Sequence, residues 1–235
     1  MIFPEFSRHD QNVLKFSKSF LKGVWKRMFT QRTQKVFVIG FHKTGTTSLG
    51  KALQILGYKV CGSLKEAYDY NTQENPREYI FSRAKEQLKK YEAFQDTPWF
   101  LFYRELYELY PDAYYILTIR PEDKWIKSVQ KHFGKNKFHY HDLIYKDRDS
   151  ITQEVHYRKI YNEHNENVIS FFKGKANLKV LNVECTEWKD LGSFLNTSTP
   201  KSPFPHANKA EGRGSFTNTI RKIVKKIYYQ QKRDI

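Results

Sequence analysis

The stretch 36–49, VFVIGFHKTGTTSL, constrains the fold more than any other part of the chain. An apolar, β-branched run (35–39) passes directly into a loop, Gly40–Thr47, with glycines at 40 and 45, and then into a hydroxyl-rich helix start. A short apolar run bounded by glycine reads as a strand buried on both faces. Such a strand, feeding a helix through a glycine loop, is the opening of a parallel βαβ unit. The same geometry turns backbone N–H groups and the positive end of the helix dipole toward one point, which suits a bound anion.

The rest of the chain repeats the alternation. Strands are expected at 58–61, 91–96, 114–119 (YYILTI, the clearest of them) and 178–183. Helices are expected at 46–56, closed by Gly57, and at 76–90, 100–110, 123–133, 151–173 and 187–195. Residues 135–150 are charged and irregular and read as a surface loop. The expected fold is therefore α/β, of the P-loop NTPase-like kind, with a parallel sheet flanked by helices on both faces. The division is a basic amphipathic N-terminal helix in 1–33, one α/β domain over 34–215, and a basic helix or tail over 216–235.

The chain has 235 residues, and its 41 Lys and Arg against 25 Asp and Glu leave a net charge of +16. An excess of that size favours polyanions: a phosphorylated cofactor, anionic lipid or nucleic acid. The two cysteines form neither a disulfide framework nor a metal-ligand spacing. His132, His139 and His141 cluster without the spacing of a helical metal site and read as a solvated loop. No apolar run approaches the roughly 20 residues of a membrane span, and no secretory signal is visible. A cytoplasmic location is expected, and the basic ends at 11–30 and 216–233 suit peripheral contact with an anionic membrane.

The loop departs from a triphosphate-binding loop in a useful way. Gly40 and Gly45 stand where GxxxxGK[ST] has its glycines, but Thr46 follows where a lysine should be. The lysine lies inside the loop, at Lys43. A lysine there serves a shorter anion than the β- and γ-phosphates of a nucleoside triphosphate.

HKTGTTSL resembles the 5′-phosphosulfate-binding loop of sulfotransferases that use 3′-phosphoadenylyl sulfate (PAPS). The resemblance implies that Lys43 contacts the 5′-phosphate and the bridging oxygen, and that Thr44, Gly45, Thr46, Thr47 and Ser48 complete the cofactor site. It departs at Ser48, where many members carry an adenine-stacking tryptophan, and at His42, where proline is common. YPDAYYILTIRPEDKWIKSV resembles the family's 3′-phosphate motif: a strand-end arginine, Arg120, and a serine eight residues on, Ser128. A planar guanidinium suits phosphate, and ligands of open α/β sheets bind at strand C-termini.

Sulfuryl transfer needs a base for the acceptor's proton. Asp96, two residues before Pro98, resembles in position the histidine that stands two residues before a similarly placed proline in cytosolic members of the family, with aspartate as the residue type instead. Its competing role is to cap the segment after Pro98. Lys43 and Asp96 are thus the expected catalytic residues. The 133–150 loop is placed to shape the acceptor pocket, and His206, Asn208 and Arg213 lie in a segment resembling the family's C-terminal part. The resemblance implies transfer of a sulfuryl group from PAPS to a hydroxyl or amine on a small-molecule, carbohydrate or lipid acceptor. Adenosine 3′,5′-bisphosphate is the product, with no metal required and no nucleic-acid partner. The alternatives are a P-loop nucleotide kinase or NTPase, and a non-catalytic module that binds membrane or nucleic acid.

Overall fold

The computed structural model describes residues 23, 25, 34–68, 74–134, 140–147, 149–182 and 184–205. Five strands form one parallel sheet: β1 (Val36–Val38), β2 (Val60–Cys61), β3 (Ala93–Phe94), β4 (Tyr114–Ile119) and β5 (Leu178–Asn182). Their spatial order is β2-β3-β1-β4-β5. β1 is central, with Val36 opposite Ala93 on one side and Tyr114 on the other.

The period of two in β1 sorts its side chains to opposite faces. Val36 and Val38 join a core with Leu49, Ala52, Leu53, Trp188 and Leu191. Those residues come from helices α1 (Thr46–Ile55) and α7 (Trp188–Phe194). Phe37 and Ile39 face a larger core. It is supplied by α2 (Pro76–Leu88), α3 (Tyr103–Leu109), α4 (Glu122–Phe133), α5 (Tyr140–Tyr145) and α6 (Glu154–Phe171). The sheet is therefore covered on both faces, as expected from the sequence.

Four details differ from that expectation. β2 and β3 each shrink to two residues, because only those positions find ladder partners. The 100–110 helix splits into a 3₁₀ turn (Trp99–Phe102) followed by α3. The 135–150 loop contains α5, with Tyr140, His141, Ile144 and Tyr145 buried. His141 is thus a core residue at 0% exposure and not part of a solvated loop. Its ring meets Phe133, Tyr140, Tyr145 and Tyr157 edge-on, and this aromatic packing holds the short helix down.

Of the N-terminal helix, Gly23 and Trp25 are described, and both are helical. A Cβ on Gly23 would lie 2.2 Å from the Gln54 carbonyl oxygen, so the backbone at Gly23 lies against the C-terminal end of α1. The other residues of 1–33 and the basic segment 216–235 lie outside the described residues. No helix among the described residues is long and apolar enough to cross a membrane.

Candidate active site

Because every strand of the sheet is parallel, the segments that follow β1, β3, β4 and β5 leave from one rim. These segments carry Lys43, Asp96, Arg120 and Glu184 respectively. Neighbouring strands lie about 4.8 Å apart, so β3, β1 and β4 bring the first three residues to one crevice.

The β1–α1 turn is held in shape from both sides. Lys43 and Gly45 adopt left-handed backbone angles, with φ of 67° and 97°. The Thr44 hydroxyl donates to the Phe41 carbonyl at 2.5 Å and meets the Thr118 hydroxyl of β4 at 2.6 Å. Since Thr44 donates to Phe41, Thr118 is the donor in the second bond. Gly40 lets β4 come this close: a Cβ there would stand 2.1 Å from Thr118 Oγ1 and 2.3 Å from its carbonyl oxygen. On the far side, Trp125 Nε1 donates to the His42 carbonyl at 3.1 Å, and His164 Nε2 donates to the Ile39 carbonyl at 2.8 Å.

The N-H groups of Ser48 and Leu49 turn back to the Gly45 carbonyl, at 3.0 and 3.2 Å. No side chain caps α1 and no acidic residue lies in its first turn. The leading amides of a helix have no intrahelical partner. The start of α1 is therefore a positive, uncapped end aimed at the crevice.

Lys43 and Arg120 meet at this point. Arg120 Nη1 approaches the Lys43 carbonyl oxygen at 3.5 Å, and the two cations are close enough for repulsion to help lower the Lys43 pKa. Burial is the larger cause, and Asp96 opposes both. Lys43 Nζ lies 5.9 Å from the centre of the Phe133 ring. A lysine held among apolar walls beside a second cation is poised to accept an anion.

Asp96 also lies in the left-handed region, at φ 72°. Its Oδ1 accepts the Thr97 N–H at 2.9 Å, and no side chain caps the 3₁₀ turn that follows. The capping role is therefore not the one this side chain plays. Burial pushes the carboxyl above its ordinary range, and the Thr97 amide and Lys43 pull the other way. Tyr68 and Tyr140 stand beside it. Their rings meet edge-on at 4.7 Å. Burial and the Asp96 charge raise the Tyr68 phenol to about 12, and the Tyr140 phenol is raised by burial, by Tyr68 and by Asp96.

Arg120 makes no pair with Glu122 or Asp123, its neighbours in sequence. Arg158 of α6 takes both, at 2.9 and 2.7 Å. Arg120 pairs instead with Glu184, 64 residues on.

The sequence segments 35–156 and 139–213 match the family model described as the sulfotransferase domain. Together they span well over half of the chain. This chain belongs to the sulfotransferase family. It is similar to Ava biosynthesis cluster protein M of Aspergillus versicolor, with 34% identity over 110 residues, covering 41% of this chain and 42% of that protein. The match thus spans less than half of that relative's length. The crystal structure of a sulfotransferase from Alicyclobacillus acidocaldarius aligns with 81% of this chain and 90% of its own, at 19% identity and a TM-score of 0.46.

In this sulfotransferase-family chain the expected cofactor residues separate into two groups. Lys43, Thr44, Gly45, Thr46, Thr47 and Ser48 form the turn and first helical positions, with Ser48 buried at 5% exposure. Arg120 joins them on the rim, while Ser128 is half-buried on α4, beside Trp125 and Val129 of the core face. His206, Asn208 and Arg213 lie outside the described residues. Tyr68, Tyr140, His164 and Glu184 were not singled out as site residues from sequence; of the four, only Glu184 could be read there as standing at a strand end, just after the 178–183 run. Among the described residues, no three His, Cys, Asp or Glu side chains gather as for a metal ion.

Proposed function

We propose that this protein transfers a sulfuryl group from PAPS to a hydroxyl or amine acceptor. The observation that carries the proposal is the convergence of two cationic groups, Lys43 on the β1–α1 turn and Arg120 at the end of β4, on one rim beside an uncapped helix start. That arrangement fits a nucleotide with phosphate groups at both 3′ and 5′ positions. The Lys43 turn and the α1 amides would hold the 5′-phosphosulfate, and Arg120 the 3′-phosphate, with Ser128 as the remaining expected ligand.

The bound donor supplies an activated sulfuryl group on a phosphate leaving group. Lys43 would neutralise charge that develops on the oxygen between sulfur and phosphorus as that bond breaks. Asp96 would take the acceptor's proton as its oxygen or nitrogen bonds to sulfur, and its raised pKa brings it closer to a base's working range. Tyr68, 37% exposed and close enough to feel the Asp96 charge, would line the acceptor's approach to this carboxylate. The kinase reading finds no support: Thr46 replaces its lysine, and the strand-end acid Glu184 is already engaged by two cations.

The test is thermal stabilisation followed by transfer. Adenosine 3′,5′-bisphosphate should raise the melting temperature without magnesium, since a ligand at 100 times its Kd stabilises by about 2.7 kcal/mol. Lys43→Ala and Arg120→Ala should each abolish transfer of labelled sulfate from PAPS. Stabilisation by ATP with magnesium, and none by the bisphosphate, would refute the proposal.

A further inference from the structure

Glu184 is gripped on the rim by two cations. Arg120 Nε and Nη2 both lie 2.9 Å from Glu184 Oε1. Lys124 Nζ, from the first turn of α4, lies 2.7 Å from Oε2. A single carboxylate thus gathers three donors from two cations. The same guanidinium fork that fits a carboxylate fits a phosphate, and a dianion would satisfy both cations better than one carboxylate does.

Among the described residues, no other acid pairs with these two cations. The acids of the first turn of α4, Glu122 and Asp123, are drawn off by Arg158, and Asn162 also donates to Glu122 at 2.8 Å. The turn that carries Glu184 does not depend on its side chain. Asn182 Oδ1 accepts the Glu184 N–H at 3.1 Å, and the Asn182 carbonyl accepts the Cys185 N–H at 3.1 Å and the Thr186 hydroxyl at 2.8 Å. A capping box between Glu187 and Asp190 then opens α7. With 36% of its side chain exposed, Glu184 can rotate into water while the turn stays folded.

We infer that Lys124 is a second cation of the 3′-phosphate site, and that Glu184 is an internal anion which the 3′-phosphate displaces. This rests on the PAPS reading above. Glu184 then sets a threshold: a nucleotide without a 3′-phosphate has nothing to offer the pair and leaves it closed. The two residues discriminate for the 3′-phosphate, while Lys43 and the turn serve the 5′ end.

The experiment is calorimetric titration of the full chain with adenosine 3′,5′-bisphosphate and with adenosine 5′-monophosphate. Glu184→Gln keeps the shape and removes the competing charge. It should bind the bisphosphate roughly three- to tenfold more tightly, the range expected for releasing partly exposed ion pairs. Its affinity for the monophosphate should stay within about twofold. Lys124→Ala should weaken the bisphosphate by roughly three- to tenfold and leave the monophosphate unchanged.

Unchanged or weaker bisphosphate binding by Glu184→Gln would overturn the inference and make Glu184 a support for Arg120. An equal gain for the monophosphate would also overturn it, because that is a general charge effect. If Glu184→Gln fails to fold, Lys124→Ala decides alone, and no selective loss sinks the inference. Wild-type protein that ignores the bisphosphate would refute the PAPS reading itself. Wild-type binding without the selective pattern refutes only the roles of Lys124 and Glu184.

Discussion

Gly40→Ala should cripple this protein although it adds only one methyl group. The added Cβ would lie 2.1 Å from Thr118 Oγ1, 2.3 Å from the Thr118 carbonyl oxygen and 2.6 Å from its nitrogen. A flexible side chain could yield, but two of the three atoms are β4 backbone. The carbonyl would have to recede by about 0.7 Å to reach the 3.0 Å below which real Cβ contacts are essentially never found. It cannot do so alone, because β4 is laddered to β1 through residues 36–38 and, next to the clash, by the Ile39 N–H donating to the Ile116 carbonyl at 2.9 Å. Overpacking of a tight core costs roughly 1–3 kcal/mol, and backbone-against-backbone contact belongs at the upper end. About 3 kcal/mol lowers the melting temperature by about 6–12 °C in a chain of this length. The clash also separates Thr118 from Thr44, so the 2.6 Å hydroxyl bond that braces the turn breaks. Melting with and without adenosine 3′,5′-bisphosphate measures both effects. The variant should melt lower and lose most of its nucleotide stabilisation. A Gly40→Ala protein that melts within about 2 °C of wild type and is stabilised equally by nucleotide would refute this account of the turn.

Two further outcomes follow from the ionisable groups. His164 is neutral in the fold, donating to the Ile39 carbonyl, and burial pushes its pKa down to about 4; His42, buried beneath the turn, is lowered in the same direction. The unfolded chain therefore binds more protons between pH 6.5 and 4, and stability should fall by up to about 3 kcal/mol for His164 as pH drops through that window. Urea denaturation at pH 7 and pH 5 checks it, and His164→Phe should flatten the slope; an unchanged slope would exclude His164 as its source. Asp96→Asn keeps the left-handed backbone and the Thr97 hydrogen bond while removing the charge. If Asp96 is the base, transfer should drop by roughly 10²–10⁴-fold with bisphosphate affinity retained; near-normal turnover would rule it out.

Much of the rim could be read from the chain alone. The order of apolar runs and helical segments dictates a parallel sheet, and a parallel sheet forces the ends of β1 and β4 to one edge. Lys43 and Arg120 therefore had to leave from one edge once the strand pattern was correct, and the pairing of β1 with β4 brings them together there. The loop chemistry was equally local: Gly45 and Thr46 sit next to each other in sequence, and the uncapped helix start is a property of those few residues.

What surrounds them needed the tertiary structure, because it depends on contacts between residues remote in sequence. His164 reaches Ile39 across 125 positions, and Trp125 reaches His42 across 83. Helix α5 is six residues long and too charged at its borders to announce itself. It exists because His141 and Tyr145 find an aromatic bed on α4 and α6. The partner of Arg120 is decided in the same way. Glu122 and Asp123 lie closer to it in sequence, yet Arg158 takes those acids and the adjacency of β4 and β5 delivers Glu184. Local chemistry along the chain sets which groups can bind an anion, and the packing of distant segments sets which of them face one another.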